Sequence, residues 1–257
     1  MGHEGKYMYG IIATDGDPSF GPIGIGGKKD EVVTVGTNGL AAVISNAPLD
    51  HYEFSKDNLT THTRVIERVA EDFTILPMHF CTVAESTDEI IAFLEDRGRE
   101  LKNSLRDLEG KVEIGIRVVW KDMKKIYEEL VQENRTIRSL KQKGAAGGQQ
   151  ALVRAGELVE AALEEKKAVE GEEYMRPLKK VAVKYKEGEP KTEDVVVTGS
   201  FLVDRDWIKE FDAQTERIGG QHNGRIDVKY VGPMAPFSFV SLEMNGGRGY
   251  ERRSPPL

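Results

Sequence analysis

The sequence predicts an α+β protein of two domains, the C-terminal one ferredoxin-like, with an amphipathic helical pair between or packed on them. Three observations predict it. Strand-like runs come in pairs joined by short turns and mixed with helical runs, which argues against a doubly wound parallel sheet. After Trp120 the composition shifts to charged helices, and beyond Pro177 it returns to strands. That last stretch reads strand, strand, helix, strand, as in a split βαβ arrangement. With 257 residues the chain has room for two domains of ordinary size. We place them at 1–120 and 121–245, with 246–257 as a flexible tail.

The elements follow in order. Lys6 to Ala13 is aromatic and β-branched and reads as a strand; the Gly/Pro/Asp-rich stretch from Asp15 to Gly27 reads as a loop. Glu31–Gly36 and Leu40–Ser45 flank Thr37-Asn38-Gly39, whose Asn-Gly pair supplies the positive φ angles of a tight hairpin turn. Val65, Ile66, Val69, Ala70 and Phe73 recur at helical spacing over 57–73. Ile75 to Val83 reads as one strand with Pro77 near its start. Ser86-Thr87-Asp88-Glu89 is a capping box opening a long helix whose stripe runs from Ile90 to Leu108 and ends at Gly110. Lys111 to Trp120 is a strand. Met123 to Leu140 and Leu152 to Leu163 are amphipathic helices separated by Gly144 to Gly148, which fits an αα-hairpin. Val181–Tyr185, Val195–Val203 and Arg225–Val231 are strands, and Asp204 is placed to cap a helix carrying Trp207, Ile208, Phe211 and Ile218.

Charge and composition exclude several functions. The chain has 36 basic and 43 acidic side chains, a net charge of -7, which opposes a nucleic-acid partner. No apolar run approaches the roughly 20 residues a membrane span needs, and the first residues lack the apolar core of a signal peptide. A cytoplasmic protein without membrane contact is expected. A single cysteine, Cys81, rules out an internal disulfide and a cysteine-clustered metal site.

Three features of the sequence bear on chemistry. Gly21 to Lys29 fails the phosphate-loop pattern, because Pro22 and Lys29 occupy positions that need glycine and a hydroxyl, and a strand follows it where a helix is required. His79 and Cys81 would share a face of a strand. A nucleophilic cysteine needs its imidazole in hydrogen-bond contact, whereas same-face neighbours run parallel, so Cys81 reads most simply as a small buried hydrophobe. His51, His62 and His222 lack zinc-site spacing. No cofactor is expected. The third feature is a pair of proline-bearing apolar segments, 75–83 and 231–240, which read either as exposed binding surface or as core strands with edge prolines.

Taken in order, Tyr7-Met8-Tyr9-Gly10-Ile11-Ile12, Leu76-Pro77-Met78-His79-Phe80-Cys81-Thr82-Val83, Gly110-Lys111-Val112-Glu113-Ile114-Gly115 and Gly232-Pro233-Met234-Ala235-Pro236-Phe237-Ser238-Phe239-Val240 resemble the gas vesicle protein L/F family (GvpL/GvpF) over nearly the whole chain. The family's usual forms of the two signature segments are LPMRFGTV and GPWPPYSFV. This chain departs from them at His79, Cys81, Met234, Ala235 and Phe237, and reads Gly147-Gly148-Gln149-Gln150-Ala151-Leu152 where the family has Tyr-Leu and paired basic residues. The resemblance implies a chaperone-like accessory protein of gas vesicle formation in a bacterium or archaeon, residing in the vesicle or the cytoplasm. It would bind the hydrophobic major shell protein, work beside other gas vesicle accessory proteins, assist nucleation or assembly of the wall, and catalyse nothing. Leu76, Pro77, Phe80, Gly232, Pro233, Pro236 and Phe237 become candidate partner-contact or structural positions. The amphipathic helices between Lys121 and Lys167, or a sheet face of the C-terminal domain, would supply the groove for the client. The alternative is a small-molecule-binding or enzymatic protein with a pocket near His79 and Cys81. A generic oligomeric scaffold is a third reading.

Overall fold

The computed structural model describes residues 4–25, 30–48, 55–145, 148–242 and 244. Gly26 to Lys29 of the glycine cluster and the expected tail at 246–257 lie outside the described residues. The chain forms two compact units, Met1–Glu113 with Pro233–Leu257, and Ile114–Gly232. The strand starting at Lys111 thus belongs mostly to the second unit, and the segment after Gly232 returns to the first.

The first unit is built on an antiparallel sheet of β1 (Glu4–Ala13), β2 (Val33–Thr37), β3 (Leu40–Pro48), β4 (Ile75–Pro77) and β5 (Val83–Ala84), in the order β2-β3-β1-β4 with β5 also on β1. Asn38 and Gly39, at φ 53° and 77°, make the expected hairpin turn between β2 and β3. Tyr7, Tyr9 and Ile12 share one core cluster although a strict alternation would put Ile12 on the other face. A bulge resolves this: Met8 pairs with Ile44 and Gly10 with Val43, leaving Tyr9 as the extra residue. The cluster packs against α1 (Lys56–Ala70) through Val65, Ile66 and Val69, and Ser55 caps α1 by accepting from the Asn58 amide.

Two sequence expectations are corrected here. The segment 75–83 is not one strand. It pairs at β4, with Pro77 opposite Gly10, leaves the ladder at 78–82 and returns as β5. The long helix is two, α2 (Thr87–Asp96) and α3 (Gly98–Leu108), because Arg97 at φ -100°, ψ 9° ends the first and precedes Gly98. Ser86 accepts from the Glu89 amide as a capping box requires, but the Glu89 carboxylate reaches the Glu85 amide instead of that of Ser86.

The second unit has an antiparallel sheet with the order β7-β8-β6-β9, from β6 (Lys111–Trp120), β7 (Lys184–Glu187), β8 (Val195–Asp204) and β9 (Ile226–Met234). In chain order that is the fourth, first, third and second strand read from the β9 edge, the ferredoxin-like arrangement. Its helices are α4 (Met123–Glu133), α5 (Arg135–Ala145), α6 (Gln149–Val181) and α7 (Ile208–Gln221). The expected stripe over 123–140 spans two helices, because Asn134 leaves helical geometry and caps α5 with its side-chain oxygen on the Thr136 and Ile137 amides. The helix expected to stop before Pro177 runs through it to Val181, since Tyr174, Met175 and Leu178 are all buried and their packing outweighs the lost hydrogen bond.

Candidate functional site

The site is assembled from β1, α1 and the irregular turn 78–82. His62 lies on the buried stripe of α1 with Val65, Ile66 and Val69, and is itself 3% exposed. Its Nδ1 is 2.9 Å from the Tyr7 hydroxyl, and that hydroxyl accepts from the Cys81 amide at 3.0 Å. The other side of the ring bonds the Met78 backbone. With Nε2–H donating to the Met78 carbonyl, Nδ1 accepts from the Tyr7 O–H, so every polar atom in the chain of contacts has its complement. The ring stacks on Tyr9 and meets Phe80 edge-on at 5.7 Å. Burial pushes the imidazole down to about 4, with the nearby His79 adding a smaller push the same way. Tyr9, raised by burial, donates to or accepts from the Ser45 hydroxyl and accepts from the Ile25 amide at 2.7 Å. The tyrosines and His62 thus pin the turn 78–82 onto the first core.

Cys81 has φ 69°, in the left-handed region that side chains with a Cβ disfavour. A glycine, the residue that the resemblance leads one to expect at this position, would carry no such cost. The same geometry redraws the expected dyad: His79 and Cys81 sit on a turn and not on alternate positions of a strand, His79 is exposed, and Cys81 packs at the edge of the core. The buried imidazole beside this turn is His62, whose Nδ1 is engaged by the Tyr7 hydroxyl and not by the Cys81 thiol.

The second signature segment closes on the same cluster. Ala235 is one of its buried members, with Phe80, Cys81, Val83 and Phe237 packed at its margin. Glu113, 1% exposed, accepts from both the amide and the hydroxyl of Ser238, the amide at 2.7 Å, and so anchors the segment. Of the sequence-predicted site residues, Leu76, Pro77 and Pro236 are buried, Phe80 and Phe237 half-buried, and Gly232 and Pro233 exposed on β9. Two segments more than 140 residues apart by their numbering therefore pack on one core cluster, with Phe80 and Phe237 partly buried against it.

In the second unit a polar cluster joins α4, α6, the end of β6 and the start of β9. The Arg225 guanidinium bonds Glu129 through two nitrogens at 2.8 Å each and Glu170 through Nε at 3.0 Å. Glu170 also accepts from the Trp120 indole at 2.9 Å and the Tyr174 hydroxyl at 3.0 Å, and Lys166 lies 3.2 Å from Glu129. The hydrogen bonds from Arg225 hold Glu129 down at about 2. Burial pushes Glu170 up, yet its bonds to Arg225 and Trp120 outweigh that and keep it below the ordinary carboxylate range. With every charge matched, this is a clamp on the fold and not a reactive centre.

Sequence reasoning missed the His62 network, the Glu113 anchor and the Arg225 clamp. For His62 the signal existed: positions 62, 65, 66 and 69 follow the i, i+3, i+4, i+7 spacing of a buried face. Glu113 alone, amid Val112 and Ile114, also stood out as a carboxylate in an apolar strand. Nothing local marks Arg225, whose partners come from distant helices.

Among the described residues, no group of three His, Cys, Asp or Glu is arranged to hold a metal ion, and no helix is long and apolar enough to cross a membrane. The fold and these contacts define a two-unit α+β protein whose signature segments line a core margin. A family model described as gas vesicle synthesis protein GvpL/GvpF matches residues 5–241. Gas vesicle protein F of a Streptomyces strain is 30% identical, covering 91% of this chain and 98% of its own. An archaeal relative, gas vesicle protein F of Haloferax mediterranei, is 23% identical over 94% of this chain and 95% of its own. The crystal structure of gas vesicle protein GvpF from an Anabaena strain superposes with a TM-score of 0.79 at 24% identity, covering 93% of this chain and 99% of that one. The chain belongs to the GvpL/GvpF family of gas vesicle synthesis proteins, whose relatives occur in bacteria and archaea and are named as gas vesicle proteins, not as enzymes.

Proposed function

We propose that this chain is a non-enzymatic, chaperone-like assembly factor that shields apolar surface of the major gas vesicle shell protein during wall nucleation or growth, alongside other accessory proteins of the vesicle. The contact surface is the margin of the first unit where 79–82 meets 236–240. The observation that carries this reading is the convergence of the two signature segments on one core cluster, with Phe80 and Phe237 half-buried against it. An unassembled shell subunit exposes apolar area that aggregates unless covered. An acidic partner covers it while its own net charge of -7 resists self-association. The enzymatic alternative near His79 and Cys81 draws no support from a turn whose buried imidazole is already committed to Tyr7 and Met78.

The test is co-purification of the shell protein with full-length protein and two variants. Phe80→Ser with Phe237→Ser should lose capture while melting as a folded protein, and His79→Arg with Cys81→Gly should keep it. Undiminished capture by a folded Phe80→Ser/Phe237→Ser protein would reject the assigned face. Loss of function in the second variant would favour chemistry at 79–81.

A further inference from the structure

We propose that the exposed face of α5 with the first turns of α6 in the second unit is a docking surface for an acidic segment of a partner protein, in addition to the face assigned above to the shell protein. Residues 135–156 contain Arg135, Arg138, Lys141, Lys143 and Arg154 and no Asp or Glu, within a chain whose net charge is -7. All five side chains are exposed. Elsewhere in this unit, Lys166, Lys167, Lys179, Arg225 and Lys229 each lie against a carboxylate, while exposed cations such as Lys124, Lys191 and Lys209 are scattered over it. Among the described residues, none of the five hairpin cations does. Arg138 instead donates to the carbonyls of Val131 and Gln132, ending α4. Among the described residues, the other four make no ion pair.

The hairpin holds these cations at fixed spacing. Gly144 is buried and leaves no room for a side chain, since a Cβ there would lie 2.4 Å from the Leu152 side chain, so the two helices close tightly. Ile137 and Gly144 face inward, and the cations of α5 occupy the outer surface. Leu152 and Val153, in the first turns of α6 and 52% and 62% exposed, offer apolar contact. Charge complementarity therefore calls for carboxylates with adjoining apolar side chains.

The same helix argues for a short segment over an extended anionic surface. Directly after Arg154, α6 carries Glu157, Glu160, Glu164 and Glu165, all exposed. Glu157 follows Arg154 by about 5 Å of helix rise, inside the screening length of roughly 8–10 Å in physiological salt. A membrane or nucleic acid would press its charge on these carboxylates as well as on the cations. A peptide-sized partner meets the cations alone, and the carboxylates set the edge of its footprint.

The experiment uses the full-length protein and a fluorescein-labelled amphipathic helix peptide with Glu on one face and Leu on the other, read by anisotropy. A Lys-for-Glu version of the peptide, phosphatidylserine vesicles and sedimentation of the protein alone complete the set. The variant reverses Arg135, Lys141, Lys143 and Arg154 to Glu and spares the helix-ending Arg138. If its melting temperature falls, Lys143→Gln with Arg154→Gln replaces it. We expect the Glu peptide to bind, salt to weaken it, the Lys peptide to fail, and the reversal to weaken binding roughly tenfold or more. Capture of the shell protein should persist, which separates this surface from the first. Equal binding of the Glu peptide to the folded variant overturns the proposal. So does cation-dependent binding of vesicles without the peptide, or a self-associated species that the reversal dissolves while peptide binding is absent.

Discussion

At Cys81 the usual order of alanine and glycine should invert. The residue sits at φ 69°, where a Cβ costs about 1–2 kcal/mol and glycine pays none of it. Against that gain stands the greater freedom of glycine in the unfolded chain, about 0.4–1 kcal/mol. Cys81→Ala removes the thiol but retains the strain, so we expect Cys81→Gly to be more stable than Cys81→Ala by about 0.5–1 kcal/mol. At an ordinary strand or helix position the same comparison runs the other way by a similar amount. The amide bond from Cys81 to the Tyr7 hydroxyl belongs to the backbone and is present in all three proteins, so it cancels. Urea unfolding followed by far-UV circular dichroism measures the difference. Tryptophan fluorescence, from Trp120 and Trp207 of the second unit, serves as a reporter away from the change. A glycine variant less stable than the alanine one would refute the left-handed geometry.

Three further outcomes are expected. His62 is neutral in the folded protein because burial holds it at about 4 against an ordinary 6.5, so its contribution is complete above pH 6.5 and is lost as pH falls through 4. The loss approaches about 3 kcal/mol at the acid end, and His62→Gln should flatten stability between pH 6.5 and 4. Arg225→Ala removes the cation that bonds both Glu129 and Glu170 and leaves Lys166 alone beside them, which should cost about 2–4 kcal/mol, read as a lower urea midpoint by tryptophan fluorescence; an unchanged midpoint would mean that the clamp is ornamental. Glu113→Ala strips the acceptor from the Ser238 amide and hydroxyl, and should make 236–240 a site of early proteolysis with a loss of about 2–3 kcal/mol.

The architecture was legible where local chemistry decides it. Asn38-Gly39 marked its hairpin, Ser86 its helix start, and the strands after Pro177 three of the four strands of its ferredoxin-like sheet. The first strand of that sheet, β6, lies before the expected boundary at 120. Breaks were harder to see when the hydrophobic stripe ran on across them. The stripe of 90–108 continues in phase past Arg97, and that of 123–140 past Asn134, so periodicity alone joined what backbone geometry divides. Pro177 misled in the opposite sense, because burial of Tyr174, Met175 and Leu178 sustains a helix that propensity would end. The candidate site was half-legible. Its two segments stood out as proline-bearing apolar runs, but their meeting depends on the Glu113 to Ser238 anchor, a contact across 125 positions that no local pattern encodes.

Hydrogen–deuterium exchange of the full-length protein with and without the shell protein tests the proposed client face most directly. Slowed exchange confined to 78–83 and 235–240, appearing only when the shell protein is added, is the expected result. Protection elsewhere, with these two segments unchanged in a complex that demonstrably forms, would contradict it.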